Sequence, residues 1–257
     1  MRPNSTVQRY ALLCTTLCLM LLLGGIQARG QSDSIQLQLG VGYAVGGTTP
    51  LSMPQSIQSV DAFHLALSPT VCAGAALPIG NHWSLYAGLR AARKTMDVEV
   101  TTQGYHMAIV QGDNSIEGYF TGHVHQEVDL WALSLPVQAC YNLGQKWSVR
   151  MGPYLSAVVK GRFGGVASDG YLRQGTPAGP RITIGDTEET QASYDFSNEL
   201  NHLQWGIALS ADYTPWPHIG INAHVEWGLS SLLHNDFHTV EQTLYPIYAT
   251  LSLFYRL

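Results

Sequence analysis

His123, His125, Glu127 and Asp129 set two imidazoles and two carboxylates at alternate positions of one short run in this 257-residue chain. An extended backbone projects all four from one face, and that donor set suits a divalent cation. Consecutive same-face residues of a strand lie ~6.6 Å apart, so one strand alone does not close a four-ligand shell. The expectation is therefore solvated polar side chains, with no metal and no other cofactor. His64 with Ser68, and His224 with Ser210, pair a nucleophile with a base on paper. No Gly-x-Ser-x-Gly elbow or other local signature supports either pair, so no catalytic residue is expected. Asp33, Asp61, Asp113, Asp236 and the run Asp186–Glu189 read as solvated loop charge.

The elements that carry these residues are written in the parity of the chain. From Ile35 to Leu257, apolar residues recur at every second position in segments of roughly ten residues. Successive side chains of a strand point to opposite faces, so each segment has a greasy odd-numbered face and a polar even-numbered one. No helical period appears to supply a covering layer for the greasy face. Lipid is the simpler cover, which predicts an all-β antiparallel transmembrane β-barrel. The segments are Ile35–Tyr43, Phe63–Leu77, one starting at Trp83, Trp131–Tyr141, Trp147–Val159, Leu203–Tyr213, Ile219–Leu229 and Ile247–Leu257. Short and long connections alternate between these eight strands, as short periplasmic turns and long external loops do in outer-membrane barrels. The stretches Lys94–Glu127 and Gly161–Asn201 are the longest connections. Met96–Val100 is a candidate strand extension, and ten strands is the alternative count; otherwise the strands around Lys94–Glu127 continue above the membrane.

Aromatic residues mark both ends of the odd face. Trp83, Tyr141, Trp147, Tyr213 and Tyr255 adjoin the short turns or the chain end; Tyr43, Phe63, Trp131, Trp205 and Trp227 adjoin the long loops. These form two expected girdles, and ten residues of tilted strand between Trp131 and Tyr141 span about 25 Å, the height of such an apolar band. The even face holds Tyr86, Gln138, Tyr154, Gln204, Asn222 and His224 with the charged Arg90, Arg150, Lys160, Asp212, Glu226 and Arg256. An eight-stranded lumen is only wide enough for side chains to fill, and buried charges must pair. Arg90 and Arg150 with Asp212 and Glu226 are therefore expected to form a lumen ion-pair network that plugs the barrel.

Residues 1–30 read as a secretory signal: Arg2 and Arg9 precede an apolar core of Ala11 to Gly25, and Ala28-Arg29-Gly30 offers a small-residue cleavage site. Residues 31–257 then form the barrel domain. Removing Arg2, Arg9 and Arg29 from the 13 basic residues leaves ten against 18 acidic ones, a formal charge near −8. That balance argues against a nucleic-acid partner. Cys72 and Cys140 are the cysteines beyond the signal; two do not make a disulfide framework, and their pairing is left open.

Leu133-Ser134-Leu135-Pro136-Val137, Tyr141-Asn142-Leu143-Gly144 and Gly152-Pro153-Tyr154-Leu155 resemble the outer-membrane β-barrel domain family of Bacteroidota, the PorT-like group. Trp205-Gly206-Ile207, Tyr213 and Glu226-Trp227-Gly228-Leu229 look like the family's last two hairpins. Members usually finish with an aromatic residue read by the barrel-assembly machinery, whereas this chain ends in Leu257. The resemblance implies an eight-stranded barrel in a Gram-negative outer membrane, contacting lipid and the assembly machinery, and implies no reaction. The functional expectation is a non-enzymatic envelope protein with a packed lumen, serving a structural, interaction or secretion-accessory role. A narrow small-solute channel and a lipid-modifying enzyme are the alternatives.

Overall fold

The computed structural model describes residues 35–50, 55–64, 66–111, 114–187, 189–234 and 243–257. The expected signal, residues 1–30, lies outside them, as do Asp33, Asp113, Glu188 and Asp236. In chain order the strands are β1 (Gln36–Thr49), β2 (Ile57–His64), β3 (Pro69–Pro78), β4 (Trp83–Gln111), β5 (Asn114–Leu143), β6 (Trp147–Gln174), β7 (Arg181–Ile184), β8 (Ala192–Asp195), β9 (Leu203–Tyr213), β10 (Ile219–Gly228) and β11 (Tyr245–Arg256). Eight of them close a ring of antiparallel pairs in the order β1, β3, β4, β5, β6, β9, β10, β11, with β11 returning to β1. Closure leaves no unpaired edge in the ring. The ten-strand alternative is thereby set aside; β2, β7 and β8 are short additions that pair with β4 and β6. Short turns follow from the local chemistry: Gly144 takes φ +78° between β5 and β6, a backbone conformation that glycine adopts without a Cβ penalty.

The parity of the sequence becomes the sidedness of the wall. β10 exposes every odd position and buries every even one. Val41, Leu209 and Leu251 are 62%, 53% and 63% exposed, on an outer face that is apolar on strand after strand. So continuous an apolar exterior needs hydrocarbon rather than water against it.

Past the level where Arg93 faces Trp131, the wall turns inside out. On β4 and β5 the outward set becomes Asp97, Glu99, His123, His125 and Glu127, while Met96, Val124, Val128 and Leu130 are buried inside. These interior residues join Phe120, Phe163, Leu172 and Tyr194 in one apolar core within the upper ring. The stretch Lys94–Glu127 is therefore the body of a long hairpin, as expected of strands continuing above the membrane, and Lys94 itself is a buried strand residue.

Two differences from the sequence reading have local causes. The segment Phe63–Leu77 is not one strand: β2 ends at His64 and β3 begins at Pro69, which lacks an N–H and so sits at a strand start. Phe63 pairs with Val98 on the upper part of β4, above the Arg93–Trp131 level, and so does not share a height with Trp131 in a membrane girdle. In β6, the register passes from Ala132–Val158 to Trp131–Lys160, leaving one residue unpaired. Such a bulge exchanges the two faces. Lys160 is consequently exposed and not in the lumen, while Phe163 and Ala167 turn inward.

Candidate functional site

The lower lumen is a stack of polar layers. Arg150 Nη2 donates to Asp212 Oδ1 at 2.9 Å, and the same carboxylate accepts from Asn222 Nδ2 at 2.7 Å and from Ser148 Oγ at 3.3 Å. The Arg150 guanidinium carbon lies 3.9 Å from the centre of the Tyr86 ring. That ring has room because Gly74 and Gly88 face it; a Cβ at either would collide with it. Above, Lys94 Nζ donates to Glu226 Oε2 at 2.6 Å, beside the rings of Tyr248 and Tyr154 at 5.4 and 6.0 Å. Glu226 Oε1 is 3.3 Å from His224 Nε2, His224 Nδ1 is 2.8 Å from Ser210 Oγ, and Ser210 exchanges hydrogen bonds with Gln138.

The structure thus joins the four expected network residues differently from the sequence reading. Arg150 meets Asp212, but the cation of Glu226 is Lys94, and Arg90 reaches Asn222 Oδ1 at 3.4 Å. Lys94 was missed because it follows the last apolar odd position of its segment; its even number, shared with Arg90, was the available signal. All five charged groups are buried, where cations gain from aromatic faces and unpaired charge is costly. Cys72 and Cys140 are both free thiols.

Ser210, His224 and Glu226 make a serine–histidine–carboxylate line, yet each is about 2% exposed and none lines a described cavity. At that burial the Ser210 hydroxyl is not open to a substrate ester among the described residues, and a nucleophile must reach the reacting carbon. His64 and Ser68 are not brought together: Ser68 Oγ bonds Thr95 Oγ1 at 2.6 Å. A polar cavity of about 490 Å³ opens at the turn end, between Asn81 and Gln145, and reaches Arg150 and Asp212. An apolar cavity of about 470 Å³ lies in the upper core, among Phe63, Met96, Val124 and Phe163.

The aromatics near the short turns form cross-strand contacts on the outer face. Trp83 and Tyr141 have ring centres 4.9 Å apart, Trp147 and Tyr213 4.6 Å, and Tyr255 stacks on His218 at 5.6 Å. At the opposite end Trp131, Trp205 and Trp227 are about half exposed, and Tyr43 is less so.

On the outer hairpins Asp97 accepts from His125 Nε2 at 2.8 Å, with His64 Nδ1 at 3.4 Å. Asp97, His125 and Glu127 are a set of side chains that could hold a cation. Asp61 lies on β2 rather than in a loop, and hydrogen bonds from Ser59 and Thr101 hold its carboxyl below the usual range. Burial pushes the Tyr194 phenol well up.

No curated protein sequence matches the chain. It is similar to the solved structure of Ail, the attachment invasion locus protein of Yersinia pestis, at 11% identity over 88% of this chain and 100% of that one, with a TM-score of 0.37. It is likewise similar to Neisserial surface protein A, at 10% identity over 88% and 100%, TM-score 0.37. OprG from Pseudomonas aeruginosa follows at 13% identity over 88% and 97%, TM-score 0.33. The sequence profile of the outer membrane protein beta-barrel domain matches residues 27–234, most of the chain. With the closed ring and its apolar exterior, that match makes this chain a member of the outer membrane protein beta-barrel domain family, located in the outer membrane.

Proposed function

We propose that this protein is a non-enzymatic outer-membrane barrel with a closed lumen, whose hairpins face the exterior and present the interaction surface. Its role is structural, or accessory to the envelope or secretion. The single observation that carries this reading is the buried Lys94–Glu226 layer, with the Arg150–Asp212 layer beneath it and an apolar core above. An ion crossing the barrel would have to break both pairs and then enter a hydrocarbon-like region, which is costly at each step. The inaccessible Ser210 supports the non-enzymatic part. The motifs around Pro136 and Gly152-Pro153-Tyr154 favour the PorT-like group of Bacteroidota, with a cleaved signal over residues 1–30 and insertion by the barrel-assembly machinery. The aromatic residues, Phe63 excepted, are the interfacial girdles of this reading.

The narrow-channel reading is favoured by the polar cavity that enters from the turn end. Conductance across a planar bilayer separates the two. The closed barrel is expected to give no stable current, and Lys94→Ala/Glu226→Ala to give at most brief openings, since the apolar core stays in place. A steady ohmic current from the unaltered protein would reject the closed lumen.

A further inference from the structure

Three strands of the outer wall stand abreast where β2 ends. His64 of β2 is level with Asp97 of β4, and Asp97 is level with Glu127 of β5. His125 lies two residues away on β5, on the face of Glu127. Adjacent strands are ~4.8 Å apart, against ~6.6 Å between same-face neighbours along one strand. Cross-strand pairing therefore supplies the proximity that the run from His123 to Asp129 lacks by itself. Two imidazole nitrogens converge on a single atom, Asp97 Oδ1, at 2.8 Å from His125 and 3.4 Å from His64. One ligand atom from each of Asp97, His125 and Glu127 lies within 4.8 Å of the others; His64 lies outside that set and would join it by turning its exposed side chain about Asp97. Tetrahedral zinc with bonds of ~2.0–2.2 Å sets its ligand atoms about 3.3–3.6 Å apart, so the His125–Asp97 pair opens by a few tenths of an ångström while rotation of the glutamate side chain brings Glu127 in.

We propose that His64, Asp97, His125 and Glu127 form a binding site for a zinc-class divalent cation on the outer hairpins. Two imidazoles select for zinc and its neighbours over calcium or magnesium, which prefer all-oxygen shells. Two carboxylates balance the charge of the ion. A depression of about 300 Å³, lined by His125, Glu127, Arg162, Gly164 and Gly165, adjoins the site on its β5 side. The competing cation is Arg162, whose Nη1 is 4.0 Å from Glu127 Oε2; its side chain is 70% exposed and free to swing aside. The bound ion would tie β2, whose described ladder is with β4, to β5 across the intervening strand. The site is independent of whether the lumen is closed.

The full-length barrel, prepared in detergent without a polyhistidine tag and stripped with EDTA, is titrated with zinc chloride against a chromophoric chelator. Metal retained after desalting is counted by mass spectrometry. One zinc per chain is expected for the unaltered protein and for His218→Ala at the turn end, and none for Asp97→Asn/His125→Ala. Heat-modifiable migration in gels reports that each variant is folded. His64→Ala alters one exposed side chain, keeps the test alive should the double variant not refold, and is expected to weaken binding at least about tenfold. Absence of zinc from the unaltered protein, or equal zinc affinity in the unaltered protein and a folded variant lacking His64 or His125, overturns the proposal.

Discussion

Lys94 and Glu226 are each about 2% exposed and 2.6 Å apart, so neither charge has water to fall back on. Removing one member of such a pair strands the other and typically costs about 3–5 kcal/mol, whereas replacing both by apolar groups of similar volume is far milder. Glu226→Ala should therefore lose about that much stability, and Lys94→Met/Glu226→Leu should be more stable than Glu226→Ala. Urea unfolding in lipid vesicles, followed by tryptophan fluorescence, checks the order; a double variant weaker than the single one would contradict it. At this scale the sequence shows which residues face inward as far as parity holds, which excludes those beyond the β6 bulge such as Lys160 and Phe163. It does not show who pairs with whom. Glu226 meets Lys94 rather than an arginine because partners are chosen by height across the lumen, which depends on strand tilt and register and leaves no local mark. The cluster around Asp97 was hidden for the same reason: its focus lies on β4, far from the histidine run of β5 in sequence.

Among the elements, β9, β10 and β11 were legible almost residue by residue, since both faces of each keep one character throughout. The hairpin of β4 and β5 was legible only in its lower half. Above Arg93 and Trp131 the odd positions stop being apolar and the even ones become so, which looks like a strand ending when only the solvent has changed. Bulges conceal more: the extra residue in β6 reverses parity, and the adjacent Gly161 does not single it out in a stretch that also holds Gly164 and Gly165. Phe163 is placed inside by that bulge and packs at the heart of the upper core. Truncating a fully buried phenylalanine costs about 3–5 kcal/mol. Phe163→Ala should accordingly loosen the outer hairpins while the membrane part stays folded. Brief trypsin treatment of intact cells would then cut at Arg162 or Arg173 in the variant but not in the unaltered protein, with heat-modifiable migration retained. Loss of that migration would mean that the upper core and the barrel fold as one unit.

For the molecule as a whole, two solvents act on one continuous sheet. Below the Trp131 level the exterior is apolar and the interior polar; above it the order is reversed, as in a water-soluble β-protein. The same hydrophobic effect produces both arrangements, since in each half the apolar face is the one kept from water. The reversal fixes where the hydrocarbon band ends, and that placement makes a graded prediction. Leu251 lies midway along β11 between Ile247, level with Trp227, and Tyr255 at the turn end. An arginine facing lipid costs about 2–4 kcal/mol at the midplane and about 0–1 near the interfaces. Leu251→Arg should thus be the most destabilising of a series along β11, with Leu253→Arg intermediate and Tyr255→Arg near neutral. Glu99→Arg on the outer hairpin faces water and should cost nothing comparable. Equilibrium unfolding from vesicles measures the series. A flat profile along β11 would remove hydrocarbon from this face, and with it the reason for the reversal.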